Sequence, residues 1–145
     1  MLARGAIAGA LAVFVLSGNA AACSCAPQSP VESLGEADAA IVGRLVAVTP
    51  HGATQAIYRY EVRHAYKGVE KIEAEAMLNV RSARRSAACG LPRRLGRSYG
   101  LFLLSRHGRW FGSICRVVSP KRMRRTAQGS ATASARAPVQ PVLCG

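Results

Sequence analysis

Apolar and polar positions divide the chain into three regimes. From Ala6 to Leu16 the residues are almost continuously apolar. From Ala39 to Val118 short apolar or alternating runs are separated by Gly, Pro and charged clusters. After Ser119 the pattern dissolves into the charge run Lys121-Arg122-Met123-Arg124-Arg125 and then a stretch rich in Ala, Ser, Gln and Pro.

The middle regime predicts strands. Ala39–Val48 (AAIVGRLVAV) is β-branched and apolar, and Thr49-Pro50-His51-Gly52 ends it. Ile57–Ala65 alternates, with Tyr58, Tyr60, Val62 and His64 on one face and Arg59, Glu61 and Arg63 on the other. That period of two is the mark of a half-buried strand. Ile72–Arg81 alternates again, although its alanines leave a helix open as the alternative. Tyr99–Ser105 is a buried strand, Arg106-His107-Gly108-Arg109 turns the chain, and Trp110–Val118 returns, which together predict a hairpin. Ahead of these strands, Ser29-Pro30-Val31-Glu32 starts a short helix: Ser29 caps it, Pro30 is its first residue and Glu32 completes a capping box. Five short strands and one short helix predict an all-β domain, a small closed or partly open barrel of the OB type.

The ends carry other signals. Met1–Gly5 holds the positive Arg4, Ala6–Leu16 is shorter than a membrane-spanning helix, and Ala20-Ala21-Ala22 forms an A-x-A cleavage site. Residues 1–22 are therefore expected to be a signal peptide, leaving Cys23 first in a secreted or periplasmic product. A Cys directly after Ala-Ala also resembles a lipoprotein signal, with Ala20 where Leu is usual. A lipid-anchored envelope protein is the alternative. Residues 23–119 form the expected domain and 120–145 a disordered basic tail.

Charge changes the picture further. The net charge is +13, and all seven acidic residues lie between Glu32 and Glu75. A basic half this long points to an anionic partner such as envelope polymers or lipids, with a solvated basic surface as the alternative. Nucleic acid is not expected outside the cell. The five cysteines are Cys23, Cys25, Cys89, Cys115 and Cys144. In an oxidising compartment four of them pair, in any of three connectivities, and Cys144 is expected to be left over.

Enzyme chemistry finds no footing. No H-E-x-x-H occurs, and His51, His64 and His107 are scattered over two turns and a strand face. No Ser-His-Asp or Cys-His spacing stands out, and the few acids lie mostly on strand faces. Neither a catalytic residue nor a cofactor or metal of its own is expected. Tyr58, Tyr60, Trp110 and Phe111 read as core aromatics before they read as a stacking platform for single strands.

One ordered set of residues carries a resemblance. Cys23-Ser24-Cys25-Ala26-Pro27 is followed by Ala37-Asp38-Ala39-Ala40-Ile41-Val42-Gly43-Arg44, by Tyr60-Glu61-Val62 and Tyr66-Lys67-Gly68, by Cys89-Gly90, by Tyr99-Gly100-Leu101-Phe102-Leu103 and by Cys115. This set resembles the N-terminal domain of the tissue inhibitors of metalloproteinases, the netrin-like OB-barrel family, in a short single-domain form. It covers about Cys23 to Val118. The resemblance implies the pairs Cys23–Cys89 and Cys25–Cys115, each worth about 4 kcal/mol in the chain-entropy treatment of long loops. It further implies that the α-amine and carbonyl of Cys23 chelate the zinc of a target metalloproteinase. Ser24 would then face its specificity pocket, with Cys25, Ala26, Pro27 and, from the Arg85–Ala88 stretch, Ser86, Ala87 and Ala88 as further target contacts. Two family features are missing: a third disulfide within this domain, and the cysteine-rich C-terminal subdomain.

Overall fold

The computed structural model describes residues 23–72 and 76–136. The expected signal peptide and Cys144 lie outside the described residues. The element order is α1 (Pro30–Glu36), β1 (Ala39–His51), β2 (Gln55–Lys67), β3 (Met77–Ala83), β4 (Ser98–Arg106), β5 (Arg109–Phe111), β6 (Val117–Val118) and α2 (Pro120–Arg136). Strands pair in the order β1-β2-β3-β5-β4, and β4 returns to β1, closing a five-stranded barrel with β6 added beside β4. The β3–β5 contact is parallel and the other pairings are antiparallel.

The sequence pattern explains the closure. β1 carries register shifts at Val42/Gly43 and Leu45/Ala47, and such bulges bend a strand and sharpen its twist. In its first half, Ala40–Arg44 pairs with β4 as well as β2, whereas the half beyond Leu45 pairs with β2 alone. The expected stop at Pro50 does not occur, and Pro50 pairs opposite Ala56. Proline is tolerated there because β1 has a partner on only one side. At the other hairpin His107 and Gly108 both take positive φ, 51° and 69°, the two-residue turn whose twist matches its strands.

Alternation on β2 places Tyr58, Tyr60 and Val62 inside the barrel with Ile41, Leu45, Leu78, Val80, Leu101 and Leu103. His64, expected on the same face, is exposed, because the register shift at Val42/Gly43 leaves one extra residue of β2 between Val62 and His64 and reverses the alternation, so that Ala65 packs against the core instead. β3 keeps the expected phase, with Leu78 and Val80 inward, but starts only at Met77. A second apolar cluster lies outside the barrel: Leu34, Ala40, Val42, Phe102 and Met123 fill the space under the helices.

Two expectations are corrected. Of the disordered tail expected over residues 120–145, Pro120–Arg136 is a helix with Met123 fully buried, and residues 137–145 lie outside the described residues. Ser119 caps it, accepting from the Arg122 N–H at 3.2 Å, and Pro120 follows, the same Ser-Pro start as in α1. Gly100 on β4 makes the room, since a Cβ there would sit 2.8 Å from the Met123 Cβ. Among the described residues the fold thus holds two α-helices where one was expected. The expected last strand Trp110–Val118 is broken into β5, a 3₁₀ turn over Ile114–Arg116, and β6. Gly112 marks the break, where a Cβ would press within 3.0 Å of Leu91 and 3.1 Å of Val80.

Candidate functional site: a disulfide-pinned edge segment

Residues 23–29 belong to no helix or strand. They are held at three points. Cys23 is bonded to Cys89 and Cys25 to Cys115, with Cα–Cα distances of 5.0 and 5.3 Å. Ser29 then caps α1 through a capping box with Glu32. The two bonds span 66 and 90 residues, long loops whose closure restricts the unfolded chain most. Only Cys23 is half-buried; Ser24, Cys25, Ala26, Pro27 and Gln28 are exposed.

The partner cysteines sit in shaped turns. Ser86–Ala88 forms one 3₁₀ turn, and Cys89 ends it in the left-handed region at φ 61°. Gly90 follows, where a Cβ would fall 2.3 Å from the Ala83 carbonyl oxygen, so only glycine fits. The Leu91 N–H donates to the buried Ser82 Oγ at 3.2 Å. The second cysteine turn is closed by the Cys115 N–H donating to Ser113 Oγ at 3.1 Å. A backbone bond from the Ile114 N–H to the Cys89 carbonyl, 3.1 Å, joins the two turns.

The disulfides consequently pack side by side. Cys115 Sγ lies 3.9 Å from Cys23 Sγ and 4.0 Å from Cys89 Sγ. Cys23, Cys89 and Cys115 meet the spacing of a metal-binding trio, but metals take thiolates, and each of these sulfurs is committed to a disulfide.

Charged groups brace the segment from below. Glu36 accepts from Gln28 Nε2 and from Arg116, each at 2.8 Å. These bonds, that from Gln28 first, hold its carboxyl below the usual carboxylate range. Glu32 is held low by the Ser29 backbone N–H.

The structure brings Cys23–Pro27 together with Ser86–Ala88, all exposed apart from Cys23, on one edge of the barrel. It adds residues that the sequence did not single out. The β1–β2 turn joins through the Arg84 N–H, which donates to the Thr54 carbonyl at 2.8 Å. Ala53 and Thr54 line a depression of about 270 Å³ with Arg85 and Ala88. Ile114 borders a neighbouring cleft of about 600 Å³ beside Ala87, Leu91 and Pro92. No local signal marks these positions, because barrel closure alone carries a turn thirty residues upstream to the cysteine loop. Trp110 packs partly against the core, and Tyr58 and Tyr60 are buried within it, so these aromatics form no exposed stacking platform.

A closed barrel with an exposed segment, pinned by two adjacent disulfides and flanked by turns, defines a rigid edge built for presentation to another molecule. The family model described as tissue inhibitor of metalloproteinase matches residues 21–135. The chain belongs to this family, whose members are inhibitors of metalloproteinases and not enzymes. A search of curated proteins finds no match.

Proposed function

We propose that residues 1–22 are removed on export and that the mature chain, beginning at Cys23, inhibits a zinc metalloproteinase by chelation. The Cys23 α-amine and carbonyl oxygen bind the target's catalytic zinc where its attacking water would stand. Catalytic zinc keeps such a position open, and an α-amine with a pKa near 8 gives up its proton readily beside a metal ion. Ser24 enters the specificity pocket, while Cys25, Ala26, Pro27 and Ser86, Ala87 and Ala88 contact the walls of the cleft.

The observation that carries this is the double anchoring of the segment that starts at Cys23. Cys23 is tied to Cys89, and Cys25, two residues on, to Cys115. The donor atoms are then fixed before binding, so little ordering entropy is lost on association. Family membership supports the same target class. Export is supported by the sequence of residues 1–22, and among the described residues no helix is long and apolar enough to cross a membrane.

The test extends the mature protein by one Ala ahead of Cys23. The added residue moves the free amine off the zinc and leaves the barrel untouched. Affinity for an inhibited protease should fall at least about 100-fold, near 3 kcal/mol, with the unfolding midpoint unchanged. Equal inhibition by both forms would overturn chelation. The intact mass of the native protein adds a second check: an unmodified chain starting at Cys23 with both disulfides is expected. Acyl chains on Cys23 would block the amine and make the protein a lipid-anchored envelope module instead.

A further inference from the structure

We propose that the cleft beside Cys89 selects target metalloproteinases whose active-site rim is acidic. This rests on the inhibitor reading and names the surface chemistry of its partner. Arg84, Arg85 and Arg93 rim the cleft, and Leu91, Pro92 and Ile114 supply its apolar lining. The three arginines are exposed, whereas Leu91 is buried and Pro92 half-buried. Gly90, also in the lining, adjoins Cys89, so the cleft is continuous with the disulfide that holds Cys23.

Nothing nearby neutralises this rim. Among the described residues the ion pairs use Glu61 and Glu36 alone, with Arg44, Arg63 and Arg116. No Asp or Glu follows Glu75 anywhere in the sequence. The Arg93 guanidinium donates to the Arg84 backbone carbonyl at 3.4 Å, which holds its charge against the stretch of chain that carries Arg84 and Arg85. Like charges held together without counter-charges weaken the folded state, and an acidic surface docked against them relieves that repulsion. An apolar floor inside a charged rim suits a protease surface that places an apolar side chain between carboxylates.

Such complementarity acts mainly on the rate of association. The experiment uses the mature chain, the double variant Arg85→Glu/Arg93→Glu and the charge-preserving Arg85→Lys/Arg93→Lys. Association rates are measured on metalloproteinases with acidic and with basic active-site rims. Salt is set at about 0.01 M and about 1 M, where the Debye length falls from about 30 Å to about 3 Å. On an acidic-rimmed protease at low salt, the Glu variant should associate at least about tenfold more slowly. The Lys variant should stay near the parent rate, and the difference should collapse at high salt.

Inhibition with equal rates for parent and Glu variant would overturn the rim assignment and leave chelation standing. The rim assignment falls equally if the Glu variant loses only its retention on an anionic polymer resin. Absence of inhibition by the parent at either salt overturns the inhibitor reading, and the assignment with it.

Discussion

Tyr60 shows how one side chain can be placed by pattern and still carry a tertiary cost. Alternation along β2 sends it inward, and it is fully buried. Gly43 on β1 lies against it, where a Cβ would come within 3.1 Å of the Tyr60 Cβ. Its hydroxyl finds no hydrogen-bond partner among the described residues, and burial pushes its pKa far up. Tyr58, two residues earlier, donates to the Ala83 carbonyl at 3.2 Å. An orphaned buried hydroxyl costs about 1–3 kcal/mol of desolvation. Tyr60→Phe is therefore expected to raise stability by about 1 kcal/mol in urea unfolding, whereas Tyr58→Phe should not. A loss on Tyr60→Phe would mean that the hydroxyl has a partner. The inward direction was legible in the sequence; the missing partner was not, because it depends on what surrounds the ring's far edge.

At the scale of elements, α2 is the telling case. Its first turn holds Lys121 and Arg122, with Arg124 and Arg125 close behind, and cations at a helix N-terminus oppose the helix dipole. Ser119-Pro120 repeats the start of α1, but Arg122 stands where the capping box would place an acid. Local signals thus favour a tail. What seats the helix is above all Met123, in the cluster of Leu34, Val42 and Phe102, with Thr126 one turn on also buried. Met123→Ala should cost about 2–4 kcal/mol in denaturant unfolding. No change would mean that residues 120–136 add nothing to the fold. α1 was fully legible, since its capping box is closed by Ser29 and Glu32, near neighbours in sequence.

At the scale of the whole molecule a few acids sit in a strongly basic chain. Glu61 accepts from Arg44 Nε at 2.9 Å, which keeps its carboxyl below the ordinary value of 4.5. Glu36 and Glu32 are lowered as well. Carboxyls with depressed folded-state pKa values contribute stability above their unfolded pKa and lose it as pH falls through the folded one. The unfolding midpoint should stay level from neutral pH to about 5 and drop below about 4.5. Glu61→Gln/Glu36→Gln should lower the midpoint at neutral pH and flatten the fall. A midpoint that holds level in acid would show that these bonds contribute nothing. Protonation also adds positive charge to a chain already at +13, which reinforces the direction.

The sequence by itself determined what local periodicity and short-range chemistry can specify. It set the strands of β1, β2 and β4, the inward face of β2 as far as Val62, the start of α1 and the all-β class. The cysteine pairs Cys23–Cys89 and Cys25–Cys115 were legible only through the resemblance, since spacing left three connectivities open. Tertiary structure decided the rest. Gly112, pressed between Leu91 and Val80, split the last strand, and Gly100 admitted α2 against β4. Barrel closure carried Thr54, Ile114 and the arginine rim to the edge that presents Cys23. These features are contacts between residues far apart in the chain. Their free energy comes from excluded volume and burial that exist only once the strands have closed, so no window of sequence contains them.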